Sequence, residues 1–384
     1  MSMQIGSLEQ SPCPAASGLQ APDIKILALT RYGRLGASSR LRTFQYRGPL
    51  AGLGIELDIR PLFGDDYVNA IYGDAGRARV AFVAVARRLK RLLSSADHDA
   101  LWVEKEALPW LPAFLELALL PSRMPLILDY DDAVFHRYDM HPSRTVRALL
   151  GAKLDRLMAR ADLVVAGNDY LAARARQAGA RQVEIVPTVV DLDRYPVRPG
   201  AGSDRLTVGW IGSPGTASYL DVVKPVLRGL SETMPLKAIA IGARADQLAG
   251  SPFEPAGWSE ESEVDMLRTI DIGIMPLQDT PWERGKCGYK LIQYMALGLP
   301  VVASPVGVNV RIVRSGVNGF LATTADDWHA ALARLAGDAA LRATFGGAGR
   351  SDVEKGYALS VQAPRLAAMI AAAVGARGRR SWKN

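Results

Sequence analysis

At 384 residues, with 49% hydrophobic and 22% charged content, the chain exceeds one ordinary domain and is apolar enough for two cores. Its two cysteines, Cys13 and Cys287, cannot build a disulfide framework, which suits a reducing cytoplasm. The net charge of +7 comes without a helix-turn-helix, zinc or RNA-binding pattern, so nucleic acid is not an expected partner.

Residues 1–22 have neither a basic start nor an apolar run, and are expected to be a loose tail rather than a signal peptide. A first lobe is expected over residues 23–197. Short apolar runs that do not alternate, at 24–30, 56–60, 100–104, 126–130, 163–166 and 183–186, are separated by helical stretches. That pattern predicts a parallel sheet covered on both faces. The first turn, GRLGASSRLR at 33–42, leads into a helix expected at 39–51. It brings Gly36, Ser38, Ser39, Arg40 and Arg42 forward as candidates for an acceptor or an anion, but lacks the spacing of a dinucleotide site. The segments 77–91 and 144–160 are basic and amphipathic; each is a solvated face or a contact with anionic lipid. The lipid-like stretch 108–121 is short and interrupted by Glu116, so as a helix it cannot span a bilayer. After the fourth apolar run, LDYDDAVF places Asp131 and Asp132 at a strand's carboxyl end, where they suit sugar hydroxyls, proton transfer or helix capping. Trp102, Glu104 and Lys105 are weaker candidates on the same side.

Residues 196–204 (PVRPGAGSD) interrupt the pattern as a linker. It restarts over 204–357 with strands at 206–211, 236–241, 272–276 and 301–303, and helices at 217–233, 260–270 and 286–297. A last helix within 358–375 has the option of crossing back to the first lobe. The fold class is therefore α/β, with two doubly wound Rossmann-like lobes facing a cleft.

The richest segment is 271–307, DIGIMPLQDTPWERGKCGYKLIQYMALGLPVVASPVG. Gly285 and Gly288 precede a helix in which Lys286, Lys290 and Gln293 stand at i, i+4 and i+7. Lysines in a first turn oppose the helix dipole, so a bound anion is their better explanation, and a diphosphate fits.

The run GKCGYKLIQYMALGLPVVASPVG, followed by GVNGF at 316–320, resembles retaining glycosyltransferase family 4, of the GT-B fold. The resemblance spans roughly 206–336, and IVPTVVDLD at 185–193 is similar to the family's interlobe segment. In that family a helix carries two Glu separated by seven residues. Gly285 stands at the first and Gln293 at the second, so the chain is a divergent, bacterial-type case. Gln293 can still bond a ribose, whereas Gly285 cannot replace a carboxylate; Glu283 is the nearby substitute. In GWIGSPGTASY the family's Gly-Arg and Lys are missing. Gly212, Ser213, Gly215 and Thr216 remain to cradle phosphate, with positive charge from Lys286, Arg284 or Lys290.

The resemblance implies a nucleotide-sugar donor in the second lobe, a saccharide or lipid-linked glycan acceptor in the first, and transfer with retention. It implies no metal and no cofactor. Lys286, Glu283, Asp131 and Asp132 are the expected catalytic set. Location is expected in the cytoplasm, with peripheral contact at the inner face of a membrane. The alternatives are a sugar-nucleotide-binding scaffold without turnover and a GT-B-type epimerase.

Overall fold

The computed structural model describes residues 24–64, 77–197 and 205–381; the expected tail 1–22 and linker residues 198–204 lie outside the described residues. Six strands form the first sheet: β1 (Ile24–Tyr32), β2 (Ile55–Phe63), β3 (Ala100–Glu104), β4 (Leu126–Tyr130), β5 (Leu163–Ala166) and β6 (Val183–Ile185). All pair in parallel, in the order β2-β1-β3-β4-β5-β6. Every residue of β3, β4 and β5 is buried, as a strand covered on both faces requires.

The first-lobe helices used below are α1 (Ala37–Arg42), α2 (Arg77–Leu93), α3 (Ala113–Leu119), α4 (Arg144–Leu150), α5 (Lys153–Arg160) and α6 (Asp169–Gln177). One face of the sheet packs under α2, α3, α5 and α6, through Leu92, Leu120, Leu157 and Leu171. The other face is covered by Tyr46, Leu50 and the chain's last long helix.

The second sheet is built the same way. β7 (Leu206–Ile211), β8 (Leu236–Ile241), β9 (Phe253–Ala256), β10 (Ile272–Met275), β11 (Val301–Ala303) and β12 (Gly319–Leu321) run in parallel, in the order β12-β11-β10-β7-β8-β9. β9 and β12, which the apolar pattern does not announce, are edge strands of three or four residues. Pro255 is tolerated in β9 because an edge strand can spare an N–H.

Several expected helices are shorter. The stretch 217–233 divides into a 3₁₀ segment, Pro214–Val222, and α7 (Lys224–Thr233); 260–270 contracts to Glu263–Leu267. Two short helices matter for the site, α8 (Pro281–Arg284) and α9 (Tyr289–Ala296). α9 does not include Lys286, because Gly288 has φ +67° and a left-handed residue interrupts the helix there. Its end follows the sequence closely. Gly298, at φ +75°, donates to Met295 O at 2.9 Å and Leu299 N donates to Tyr294 O at 3.0 Å, a Schellman closure.

α10 (Ala339–Gly356) crosses α9 closely enough that a Cβ on Gly346 would meet Gly298 O at 1.9 Å. α11 (Leu359–Ser381) then returns to the first lobe and buries Leu359, Ala363, Leu366 and Ile370 with Tyr46 and Leu50. Leu359–Ala376 is long and apolar enough to cross a membrane by composition, but that same face is used in this packing.

In each sheet the chain winds outward from the first strand and then returns to its other side. The switch lies between β1 and β3 in the first lobe and between β7 and β10 in the second. Crevices at such points lie outside the carboxyl ends of the strands and receive ligands.

Candidate active site between the lobes

In the second lobe, β7 ends at Ile211 and the turn 212–216 forms one wall. A Cβ on Gly212 would meet the Trp210 ring at 2.3 Å, so only glycine lets the chain turn here. Ser213 N donates to Thr216 Oγ1 at 3.2 Å and Thr216 Oγ1 donates to Ser213 O at 3.0 Å. Thr216 is thus committed to capping, while Gly215 lies open beside Ser213. α8 forms the opposite wall. Its Glu283 is buried and accepts from Tyr219 Oη at 2.5 Å and from Thr280 Oγ1. Arg284 is exposed and bound through two hydrogen bonds to Asp279, at 2.7 and 3.1 Å.

The two lysines differ. Lys286 Nζ donates to Asp132 of the first lobe at 3.0 Å. Lys290 is half-buried, lies over the Trp210 ring at 5.4 Å from its centroid, and makes no ion pair among the described residues. Burial and the neighbouring Lys286 charge bring its pKa down to about 8. The first-turn N–H groups of α9 add further donors without helical acceptors.

Residues 285–287 plug into the first lobe. A Cβ on Gly285 would lie 2.5 Å from Ala133 Cβ and 2.7 Å from Ala133 N. Asn168 Nδ2 donates to Gly285 O (3.0 Å) and Lys286 O (2.9 Å). Cys287 Sγ reaches Asp131 O at 3.1 Å and sits within the first lobe's core. Burial pushes its thiol well above the ordinary value, as for a packing group rather than a nucleophile. A Glu side chain at position 285 would have no room. Gln293 is 2% exposed and donates to Tyr195 Oη at 2.9 Å. Tyr195 in turn donates to Glu263 at 2.9 Å.

The first-lobe crevice is filled by its own charges. Lys105, at φ +66°, spans from Ser38 Oγ (2.9 Å) to Asp131 (2.9 Å). Against the burial that would raise it, the Lys105 ammonium holds Asp131 below the usual carboxylate range.

Three acceptor candidates are corrected. Ser39 is fully buried and donates to Glu104 at 2.6 Å. Arg42 is 1% exposed, with Asp129 on both nitrogens at 2.8 and 3.0 Å and Val186 O at 2.7 Å. Arg40 is buried over the Trp258 ring of the second lobe, 3.9 Å from Glu263. These helix positions face the sheet or the opposite lobe, because α1 is short and tilts its whole face inward. Gly36 packs on Tyr32, where a Cβ would meet the Tyr32 Cβ at 2.5 Å and its ring at 3.1 Å. Ser38 is joined through Lys105 to Asp131, the neighbour of the Asp132 that binds Lys286.

Two ion pairs also cross between the lobes, Arg34 with Glu260 (2.8 and 3.0 Å) and Arg311 with Asp169. Asn168, Tyr219 and Arg34 were not singled out from the sequence. Asn168 alone carried a signal, standing two residues past the end of an apolar strand run.

Residues 216–338 match the family model described as "Glycosyl transferases group 1". The second lobe carries a group 1 glycosyltransferase domain. No curated protein matches the chain in sequence. Among solved structures, the chain is similar to sucrose-phosphate synthase from Thermosynechococcus elongatus, at TM-score 0.68 and 16% identity over 92% of this chain and 100% of that one. It is also similar to Anabaena Alr3699/HepE in complex with UDP and glucose, at TM-score 0.63 and 18% identity over 90% and 99%. WaaG, a glycosyltransferase involved in lipopolysaccharide biosynthesis, gives TM-score 0.64 and 13% identity over 90% and 99%. These likenesses establish the two-lobe GT-B fold, with the group 1 domain as its second lobe.

Proposed function

We propose that the protein transfers a sugar from a nucleoside-diphosphate sugar to a hydroxyl of a saccharide or lipid-linked glycan, with retention at the anomeric carbon, in the cytoplasm. The observation that carries the reading is Lys290, a half-buried ammonium without an ion pair at the β7/β10 crevice of a group 1 glycosyltransferase domain. The complexes of Alr3699/HepE with UDP and with UDP-glucose support a nucleotide-sugar donor.

The diphosphate takes its charge from Lys290 and Lys286, the N–H groups of α9 and the turn at Gly212, Ser213 and Gly215. Departure of the nucleoside diphosphate builds negative charge, and fixed cations stabilise that build-up without reorganisation. Lys286 serves only by leaving Asp132. Donor binding therefore frees the Asp132 carboxylate, beside Asp131, for an acceptor hydroxyl. Glu283, fixed by Tyr219 and Thr280, meets a donor sugar hydroxyl from α8, in place of the carboxylate that position 285 cannot hold.

The test is a thermal-shift panel of nucleotides and sugar nucleotides, followed by an assay for nucleoside diphosphate release with and without acceptors. NMR of the product's anomeric coupling checks retention. Equal nucleotide binding by wild type and Lys290→Ala would overturn the site assignment. The crowding at Gly285 favours one second reading, a donor-binding scaffold; tight donor binding without turnover over a broad acceptor panel would select it.

A further inference from the structure

Thirteen large apolar side chains are exposed among the described residues, and seven of them lie on or beside α2, α3 and α4 of the first lobe. They include Leu93 at the end of α2 (82%), Phe114 and Leu115 on α3 (64% and 41%), and Leu149 on α4 (63%). α2 and α3 neighbour each other in the outer helical layer, and α3 lies against α5. Their exposed side chains therefore face the same way, outward from the sheet.

Among the described residues α2 and α3 present no exposed acid, and the exposed Asp97 and Asp99 follow the end of α2. The single acid of α3, Glu116, is buried and bonds Lys153 Nζ at 2.9 Å and Ala107 N at 2.8 Å, leaving α3's outer surface without charge. On the neighbouring α2 stand Arg87, Lys90 and Arg91, all exposed and none with an ion pair among the described residues.

Trp110 is a second, independent observation. It precedes α3, is 50% exposed, and has φ +66°, a conformation costly for a bulky residue unless its surroundings impose it. They do: its N–H donates to Tyr138 Oη at 3.1 Å, and its ring stands edge-on to Tyr138 and His141 at 5.2 and 5.9 Å. Met140, 56% exposed, lies in the same 138–141 segment.

From these features we infer that the α2–α3 face of the first lobe docks on an anionic lipid bilayer, with Trp110, Phe114 and Leu115 entering the headgroup boundary and the α2 cations above it. Protruding apolar side chains on helix crests, flanked by the lysine and arginines of α2, suit a fluid negative surface. A protein partner would instead favour a packed core depleted of lysine. Trp110 follows the same strand end as Lys105, so a bilayer on this face lies beside the first-lobe crevice. An amphiphilic acceptor is a consequence that rests on the transferase reading; the docking does not.

The test is flotation of the full chain with vesicles of phosphatidylcholine alone and of phosphatidylcholine with phosphatidylglycerol. Co-flotation with the anionic vesicles, weakened by salt, is expected. Phe114→Ser with Leu115→Ser, and separately Arg87→Ser with Lys90→Ser and Arg91→Ser, should each cut the bound fraction about tenfold or more at an unchanged melting temperature. As a readout that needs no destabilising change, brominated lipid should quench wild-type fluorescence more than that of Trp110→Phe. Absence of flotation, equal flotation of all variants, or a dimer in gel filtration that Phe114→Ser dissolves would each overturn the proposal. Vesicle binding without activation of sugar transfer would leave the docking intact and count against the amphiphilic acceptor alone.

Discussion

The two switch crevices share one topology and differ in charge balance. In the first lobe, the segments after β1, β3 and β4 are tied together by Ser38, Lys105 and Asp131, over a floor in which Arg42 binds Asp129 and Ser39 binds Glu104. Every one of those groups has a partner within its own lobe. In the second lobe, the corresponding loops present Lys290 without an ion pair, and Lys286 paired only with a carboxylate from across the cleft. A parallel sheet with a reversal of winding supplies a crevice in both cases. Which crevice attracts an anion is decided by the side chains left unbalanced there.

The largest effect should come from breaking the self-satisfied crevice. Arg42→Ala strands Asp129 without its guanidinium in the core, and burial already raises that carboxyl to about 6 against the Arg42 charge. Loss of a buried partner costs about 3–5 kcal/mol, so urea titration should show a large drop in stability.

Lys290→Ala should do the reverse: it removes a buried-charge penalty, so stability at neutral pH should hold or rise, while nucleoside diphosphate binding weakens by about 1.5–3 kcal/mol, measured by calorimetry. The contrast extends to pH. The folded pKa of Lys290, about 8, lies below the unfolded value of about 10.4. Between the two the unfolded chain binds more protons, so stability rises with pH through that window and the penalty is fully present below it. Lys290→Met should abolish this rise. Because a bound anion restores the pKa, nucleotide binding above pH 8 should take up a proton, seen as a buffer-dependent binding enthalpy.

Next in size is the contact between the lobes. Gly285→Ala places a methyl group against Ala133, and overpacking of about 1–3 kcal/mol should lower the melting temperature and enlarge the particle in small-angle scattering. Tyr219→Phe is the mildest. It removes the hydrogen bond that fixes Glu283, for about 0.5–1.5 kcal/mol, and should lower kcat more than it raises KM for the donor. An unchanged kcat would remove Glu283 from the proposed chemistry.

The chain's apolar runs by themselves determined the two α/β lobes and the bounds of β3, β4, β5, β7, β8 and β11, because buried parallel strands need unbroken hydrophobic segments. Gly298 and Pro300 likewise announced the end of α9, where only a left-handed residue closes the helix. The run GKCGYKLIQYMALGLPVVASPVG carried the resemblance to a glycosyltransferase family, inside the residues that match the group 1 model. Tertiary packing decided the rest. β9 (FEPA) and β12 (GFL) are too short to stand out, and they pair with the edges that β8 and β11 offer. Arg42 and Ser39 looked available in a Gly-rich loop, and only the orientation of α1 shows that they support the sheet. The glycine at 285 looked like a lost carboxylate, and its reason, the backbone of Ala133 pressed against it, belongs to the other lobe. Sequence recorded which residues carry charge; which of those charges finds a partner depends on contacts between segments more than a hundred residues apart, as with Lys286 and Asp132.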